Sequence, residues 1–175
     1  MWFQGCTLGC PGCFNPRAHD PAGGFETDTA TVAQQLLANP HGIEGVTFSG
    51  GEPFQQPGAL LDLLKRLSNS PLSKLAFSGY TLPELEQLPL GPEILRRLDV
   101  LVAGRYVQAL HLGGGLLGSS NQQIHLLTGR YRLEDFSRVP AAEVILHADG
   151  RVTLTGMAAL RLELAENDEK RRKTN

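Results

Sequence analysis

Short apolar runs alternate along this chain with amphipathic stretches. Residues 45–49 (GVTFS), 74–78 (KLAFS) and 99–103 (DVLVA) are compact apolar segments bounded by Gly, Ser, Asp or Lys. That is the pattern of short buried strands. Between them lie segments with helical spacing. In residues 27–39, Val32, Leu36 and Leu37 form an apolar stripe, Thr27 or Asp28 can cap the start, and Pro40 and Gly42 end it. In residues 59–68, Leu60, Leu63, Leu64 and Leu67 share one face. Residues 82–97 predict one or two short helices, because Pro89 and Pro92 interrupt the segment. Trp2 and Phe3 suit a sheet, so residues 1–5 read as the end of a strand that the chain enters partway. Residues 6–24, rich in Cys, Gly and Pro, read as loop. Residues 121–127 alternate weakly and predict a fifth strand. Residues 143–147 and 151–155 flank Asp149-Gly150, a hairpin signal.

Strands alternating with helices imply βαβ units and a parallel sheet. A complete eight-stranded barrel takes ~250 residues, and this chain has 175. The expected fold is therefore α/β: a partial (β/α) barrel of about five or six mostly parallel strands, with a small C-terminal hairpin. Ligands of such folds gather at the carboxyl ends of the strands. One domain is expected over residues 1–160, followed by a charged tail, 161–175, that is disordered or a frayed helix.

Composition narrows the function. A net charge of −2 with no basic stripe argues against a nucleic-acid partner. No apolar run reaches the ~18–20 residues of a membrane span. The N-terminus lacks the pattern of a signal peptide, so a cytoplasmic protein is expected. The chain has three cysteines, Cys6, Cys10 and Cys13, all on one loop. An odd, clustered set is a poor disulfide framework and reads as metal-binding or catalytic.

The spacing C-x3-C-x2-C lets three thiolates share one metal centre, and Gly9 and Gly12 permit the loop to wrap closely. Soft thiolates select zinc or iron–sulfur clusters. A structural zinc site takes four protein ligands, and His19 could complete a Cys3His set with the three cysteines. A cubane held by three thiolates leaves one iron open. Downstream stands Ser49-Gly50-Gly51-Glu52-Pro53, which by itself is compatible with a plain strand-to-helix turn.

Together, C-x3-C-x2-C after a first strand and the GGEP run resemble the radical S-adenosylmethionine (SAM) superfamily. The loop CTLGCPGCFN is similar to that of the glycyl radical enzyme activases within it, as are Ser78-Gly79-Tyr80 and the run 118–122 (GSSNQ). Three features depart from that group: less chain before the first strand, Ala103-Gly104 where Asp-Gly is common, and Leu116-Leu117-Gly118 where Trp-Arg-Gly is common. The resemblance implies a [4Fe-4S] cluster on Cys6, Cys10 and Cys13, with SAM chelated at the open iron. It implies SAM contacts from Gly50, Gly51, Glu52 and Pro53, with Glu52 or nearby main-chain carbonyls accepting from the ammonium group. Ser78, Tyr80, Phe14 and Asn121 are further candidates for the cofactor site. The implied activity is reductive cleavage of SAM to a 5′-deoxyadenosyl radical, which abstracts hydrogen from a glycine of a partner resembling anaerobic ribonucleotide reductase. The implied electron donor is a flavodoxin or ferredoxin. Three other readings stay open at this point: a radical SAM enzyme for a small molecule, a Cys3His zinc module, and a form that binds a cluster without turnover.

Overall fold

The computed structural model describes residues 1–38, 42–137, 139–140 and 142–156. The expected tail, 161–175, and the domain limit at residue 160 lie outside the described residues.

Five strands form one sheet in the order β1-β2-β3-β4-β5, with β1 at Trp2–Phe3, β2 at Gly45–Gly50, β3 at Ser73–Ser78, β4 at Val100–Ala103 and β5 at Gln123–Leu126. The first four are mutually parallel, and β5 runs antiparallel to β4, pairing His125 with Leu101. Helix α1 (Thr29–Leu37) joins β1 to β2, and α2 (Pro57–Arg66) joins β2 to β3. The segment before β4 holds two short helices, α3 (Leu82–Gln87) and α4 (Gly91–Leu95). Two more strands, β6 (Ala142–Leu146) and β7 (Val152–Gly156), make a separate antiparallel hairpin. The sheet's edges are β1 and β5.

Register explains the core. Phe48 pairs with Ala76, and Ala76 with Leu101, so these residues share one face of the sheet. The helices cover that face: Leu60, Leu63, Leu64 and Leu67 are fully buried against it, with Leu85, Ile94 and Leu98 from the third connection. Val100 and Val102 point the other way and are buried as well. Phe3 joins the core edge-on to Phe48, with ring centroids 6.4 Å apart.

The local signals act as expected, with some differences. Asp28 caps α1, accepting from the backbone N–H of Thr31. The apolar stripe of α1 differs from expectation. Leu37, its terminal residue, is 53% exposed, and the buried residue is Ala33. Helix α2 starts earlier than expected, with Pro57 in its first turn, and its burial extends to Leu61. Thr81 and Glu84 form a reciprocal capping box at α3. The loop 6–24 contains two short 3-10 turns, Pro16–Ala18 and Pro21–Gly23. The hairpin turns at Asp149-Gly150, with Gly150 at φ 83°. No helix among the described residues is long and apolar enough to cross a membrane.

Candidate cluster and cofactor site

Because β1 to β4 are parallel, their carboxyl ends lie along one rim of the sheet. The cysteine loop leaves the end of β1. Gly50–Pro53 leave the end of β2, Ser78–Tyr80 the end of β3, and Gly104–Tyr106 the end of β4. Asn121 and Gln122 arrive at the same rim because β5 is antiparallel and Gln123 pairs with Ala103. Residues far apart in the chain are therefore brought to one place by topology.

The cysteine loop is tied down on both sides. Gly5 N donates to Ala18 O at 2.9 Å and Cys6 N to His19 O at 3.1 Å, which closes the loop at its base. Cys13 N donates to Cys10 O at 3.1 Å, forming a tight turn, and Asn15 N approaches Cys13 Sγ at 3.4 Å. Gly9 and Gly12 adopt φ of 59° and 71°, the left-handed region that glycine enters without a Cβ penalty. All three cysteines are unpaired and half-buried. Burial pushes the Cys6 thiol up; the Glu52 carboxylate and the Cys10 and Cys13 thiols add to the rise, and a bond to the Leu8 backbone opposes it.

This donor set fits a cluster. It consists of three soft ligands on one loop, partly shielded from water. Among the described residues, no group of three or more His, Cys, Asp or Glu side chains is placed to hold a single metal ion. A tetrahedral zinc needs its ligands at ~2.0–2.3 Å from one point. A cubane spreads its ligands over separate irons, so the thiols need not meet there. His19 serves the loop through its backbone carbonyl.

The GGEP turn packs directly beneath the loop. Gly51 N donates to Phe3 O at 2.7 Å and Glu52 N to Gly5 O at 2.9 Å. A Cβ on Gly51 would overlap Gly5 O, so a side chain there would push the two segments apart. Glu52 is 1% exposed. Its Oε1 accepts from Phe54 N and from Ser78 Oγ, both at 3.0 Å, and its Oε2 accepts from Gly79 N at 2.8 Å. Burial holds this carboxyl above its ordinary range, opposed by those three hydrogen bonds and by the Arg105 charge. Glu52 is therefore a tie between the ends of β2 and β3. Its oxygens face protein donors instead of the open rim. Ser78 is buried in the same tie and also accepts from Tyr80 N at 3.1 Å.

Tyr80 is half-buried at the rim. Its hydroxyl accepts from Gln55 Nε2 at 3.1 Å, and the Arg105 guanidinium sits over its ring, 5.5 Å from the centroid. Arg105 Nη1 also pairs with Glu84 at 2.9 Å, and this arginine holds the Glu84 carboxyl down at about 2. Phe14, 49% exposed, stacks at a tilt on Tyr106, with centroids 4.8 Å apart, and lies 5.5 Å from His111. Asn121 is exposed and donates to Arg105 O at 2.8 Å, which fixes the chain leaving β4. Gln122 donates to Gly104 O at 2.8 Å and accepts from Gly118 N at 2.8 Å.

The sequence-predicted residues thus share one rim, but Glu52, Ser78 and Asn121 point into protein contacts. Gln55, Arg105 and Tyr106 were not singled out by sequence reasoning. Only their short distance from a strand end could have flagged them.

Residues 1–125 match the family model described as "4Fe-4S single cluster domain". The chain is 31% identical over 137 residues to the anaerobic ribonucleoside-triphosphate reductase-activating protein of Pasteurella multocida, covering 73% of this chain and 86% of the relative. Its counterpart in Escherichia coli strain K12 is 29% identical over 136 residues, with the same two coverages, 73% and 86%. The pyruvate formate-lyase-activating enzyme of Clostridium pasteurianum is 34% identical over 107 residues, 58% of this chain and 42% of the relative. A [4Fe-4S] cluster and SAM are the cofactors of this family. With the cysteine loop, the GGEP turn and these relatives in agreement, the chain belongs to the 4Fe-4S single cluster domain family and, within the radical SAM enzymes, to the glycyl radical enzyme activase group.

Proposed function

We propose that Cys6, Cys10 and Cys13 hold the [4Fe-4S] cluster with one iron left for SAM, and that the chain activates a glycyl radical protein of the anaerobic ribonucleotide reductase type. When bound there, the cluster and SAM would supply one-electron reductive cleavage of the sulfonium, the chemistry needed to take a hydrogen atom from a partner's glycine. The observation that carries this reading is that the loop bearing the three half-buried cysteines and the GGEP turn lie together at one sheet rim, joined by the Glu52 N to Gly5 O bond at 2.9 Å. The relatives named above support the choice of partner.

The protein's part is placement and exclusion of water. Gly50 and Gly51 bring main chain close to the cysteine loop, so their carbonyls are the acceptors we assign to the SAM ammonium group. Glu52 holds that turn in place through Ser78 and Gly79, and Pro53 stiffens it. Tyr80 and Phe14 are the aromatic surfaces we assign to the adenosyl part, and Asn121 fixes the chain leaving β4 through Arg105 O. We read the sheet as a partial barrel within a domain reaching to residue 160. The open side admits the partner's glycine segment, and a flavodoxin or ferredoxin supplies the electron.

Anaerobic reconstitution tests this directly. The expected result is four irons and four sulfides per chain, deoxyadenosine released from SAM on reduction, and a glycyl radical signal on added anaerobic reductase. Protein carrying one zinc and no sulfide would overturn it. Deoxyadenosine released without any radical on the reductase would favour a small-molecule substrate instead.

A further inference from the structure

We infer that Gln55 and Gln56 form a two-point amide clamp that fixes Cys6 between them, which makes both glutamines positioning residues for the first cluster thiol. The inference rests on the cluster assignment proposed above.

The clamp grips the chain on each side of Cys6. On one side, Gln56 Nε2 donates to Gln4 O at 2.7 Å. On the other, Gln55 makes a two-way pair with Thr7: its Oε1 accepts from Thr7 N at 3.0 Å, and its Nε2 donates to Thr7 Oγ1 at 2.8 Å. The same Nε2 reaches the Tyr80 hydroxyl at 3.1 Å. Gln55 ends the 3-10 turn Pro53–Gln55, and Gln56 follows it. That turn starts at Glu52, whose carboxylate is locked to Ser78 and Gly79. A continuous path therefore runs from the end of β3, through Glu52 and the turn, to the chain around Cys6.

The other two cysteines are held differently. Cys13 N bonds to Cys10 O, a contact inside the loop itself. Between Cys6 and Cys10 lie Thr7, Leu8 and Gly9, with Gly9 in the left-handed region. Of these, Thr7 receives the Gln55 pair. Cys6 is thus the ligand flanked by bonds to the turn after β2, whereas the Cys10–Cys13 turn lies against the segment after β4, with Gln108 beside Gly12 and Tyr106 beside Phe14. Ordering the first ligand before the cluster arrives removes that entropy cost from cluster binding.

Gln55→Leu keeps the size and removes all three bonds. Gln55→Glu retains them, because the Thr7 and Tyr80 hydroxyls can turn to donate. In cluster-free protein, amide exchange at Thr7 should quicken roughly tenfold in Gln55→Leu and stay near wild type in Gln55→Glu. In reconstituted protein, bleaching of the visible absorption by an iron chelator should quicken in Gln55→Leu and in Gln56→Leu, with Gln55→Glu behaving as wild type. Unchanged exchange overturns the clamp. Faster exchange with unchanged bleaching overturns its positioning role. A wild-type protein that takes up no cluster would defeat the parent assignment, whereas a cluster-loaded wild type with indifferent variants would defeat the clamp alone. Gln56 is exposed, so Gln56→Leu tests the second contact in a folded chain even where Gln55→Leu folds poorly.

Discussion

On the helix-covered face of the sheet, Leu60, Leu63, Leu64 and Leu67 are sealed from water against Phe48, Ala76 and Leu101. At the carboxyl rim, the same strands end in segments that are half-exposed, and order comes from directed bonds: Glu52 to Ser78 and Gly79, Gln55 to Thr7, Asn121 to Arg105. Apolar burial is non-directional and sets how stable the sheet is. Hydrogen bonds are directional and add little net stability each, but they decide where each rim atom sits. The two regions should therefore respond differently to substitution, one in stability and the other in cofactor handling.

The sharpest separation comes from Cys10→Ala. It should abolish cluster uptake and deoxyadenosine release while the unfolding midpoint of the cluster-free protein stays near wild type, as read by iron count and circular dichroism. Retained deoxyadenosine release would remove Cys10 from the ligand set. The mirror image is Leu64→Ala, which should cost about 2–5 kcal/mol in urea unfolding while leaving the thiol loop's chemistry intact in whatever fraction is folded.

Glu52→Gln blurs the boundary, because Glu52 is a rim residue with core-like burial. An amide there would direct its N–H toward one of the donors it now accepts from, at a cost of roughly 1–3 kcal/mol. SAM affinity should fall with it while the cluster still assembles, as followed by equilibrium binding. Burial raises the Glu52 pKa on folding, so the folded state binds the proton more tightly than the unfolded chain. Its contribution to stability is full below the unfolded value of 4.5 and declines as pH rises through the folded value. The stability gap between wild type and Glu52→Gln should therefore narrow on going from acid to neutral pH. The opposite trend would mean that the hydrogen bonds outweigh burial.

Glu84→Gln should have the smallest effect. Its pairing with Arg105 is solvent-screened, and the loss should stay under about 1 kcal/mol at neutral pH. The Glu84 pKa is depressed to about 2 from 4.5, so its contribution exists above 4.5 and disappears as pH falls to about 2. Thermal unfolding of the pair of proteins across that range checks it.

Much of the scaffold is legible in the sequence. The run of β4 announces itself because a strand buried on both faces needs unbroken apolar residues, β2 shows Val46 and Phe48 buried on either side of the exposed Thr47, and the leucine spacing of α2 leaves one face to bury. The limits appear where distant parts decide. Leu37 falls on the apolar stripe of α1, yet as the terminal residue it stays exposed, and the small Ala33 takes the buried place. In the site, the thiols and the GGEP run are readable because their chemistry is local. The inward turn of Glu52 is not, since its partners Ser78 and Gly79 lie 26 and 27 residues away. The glutamines at 55 and 56 look like ordinary surface residues until the fold sets them beside Gln4 and Thr7.

The rim is built from the tails of four separate strands, each contributing one wall of the cradle. Evolution can therefore exchange a wall, for example the crossover from β4 to β5, while the other three and the leucine layer beneath stay as they are.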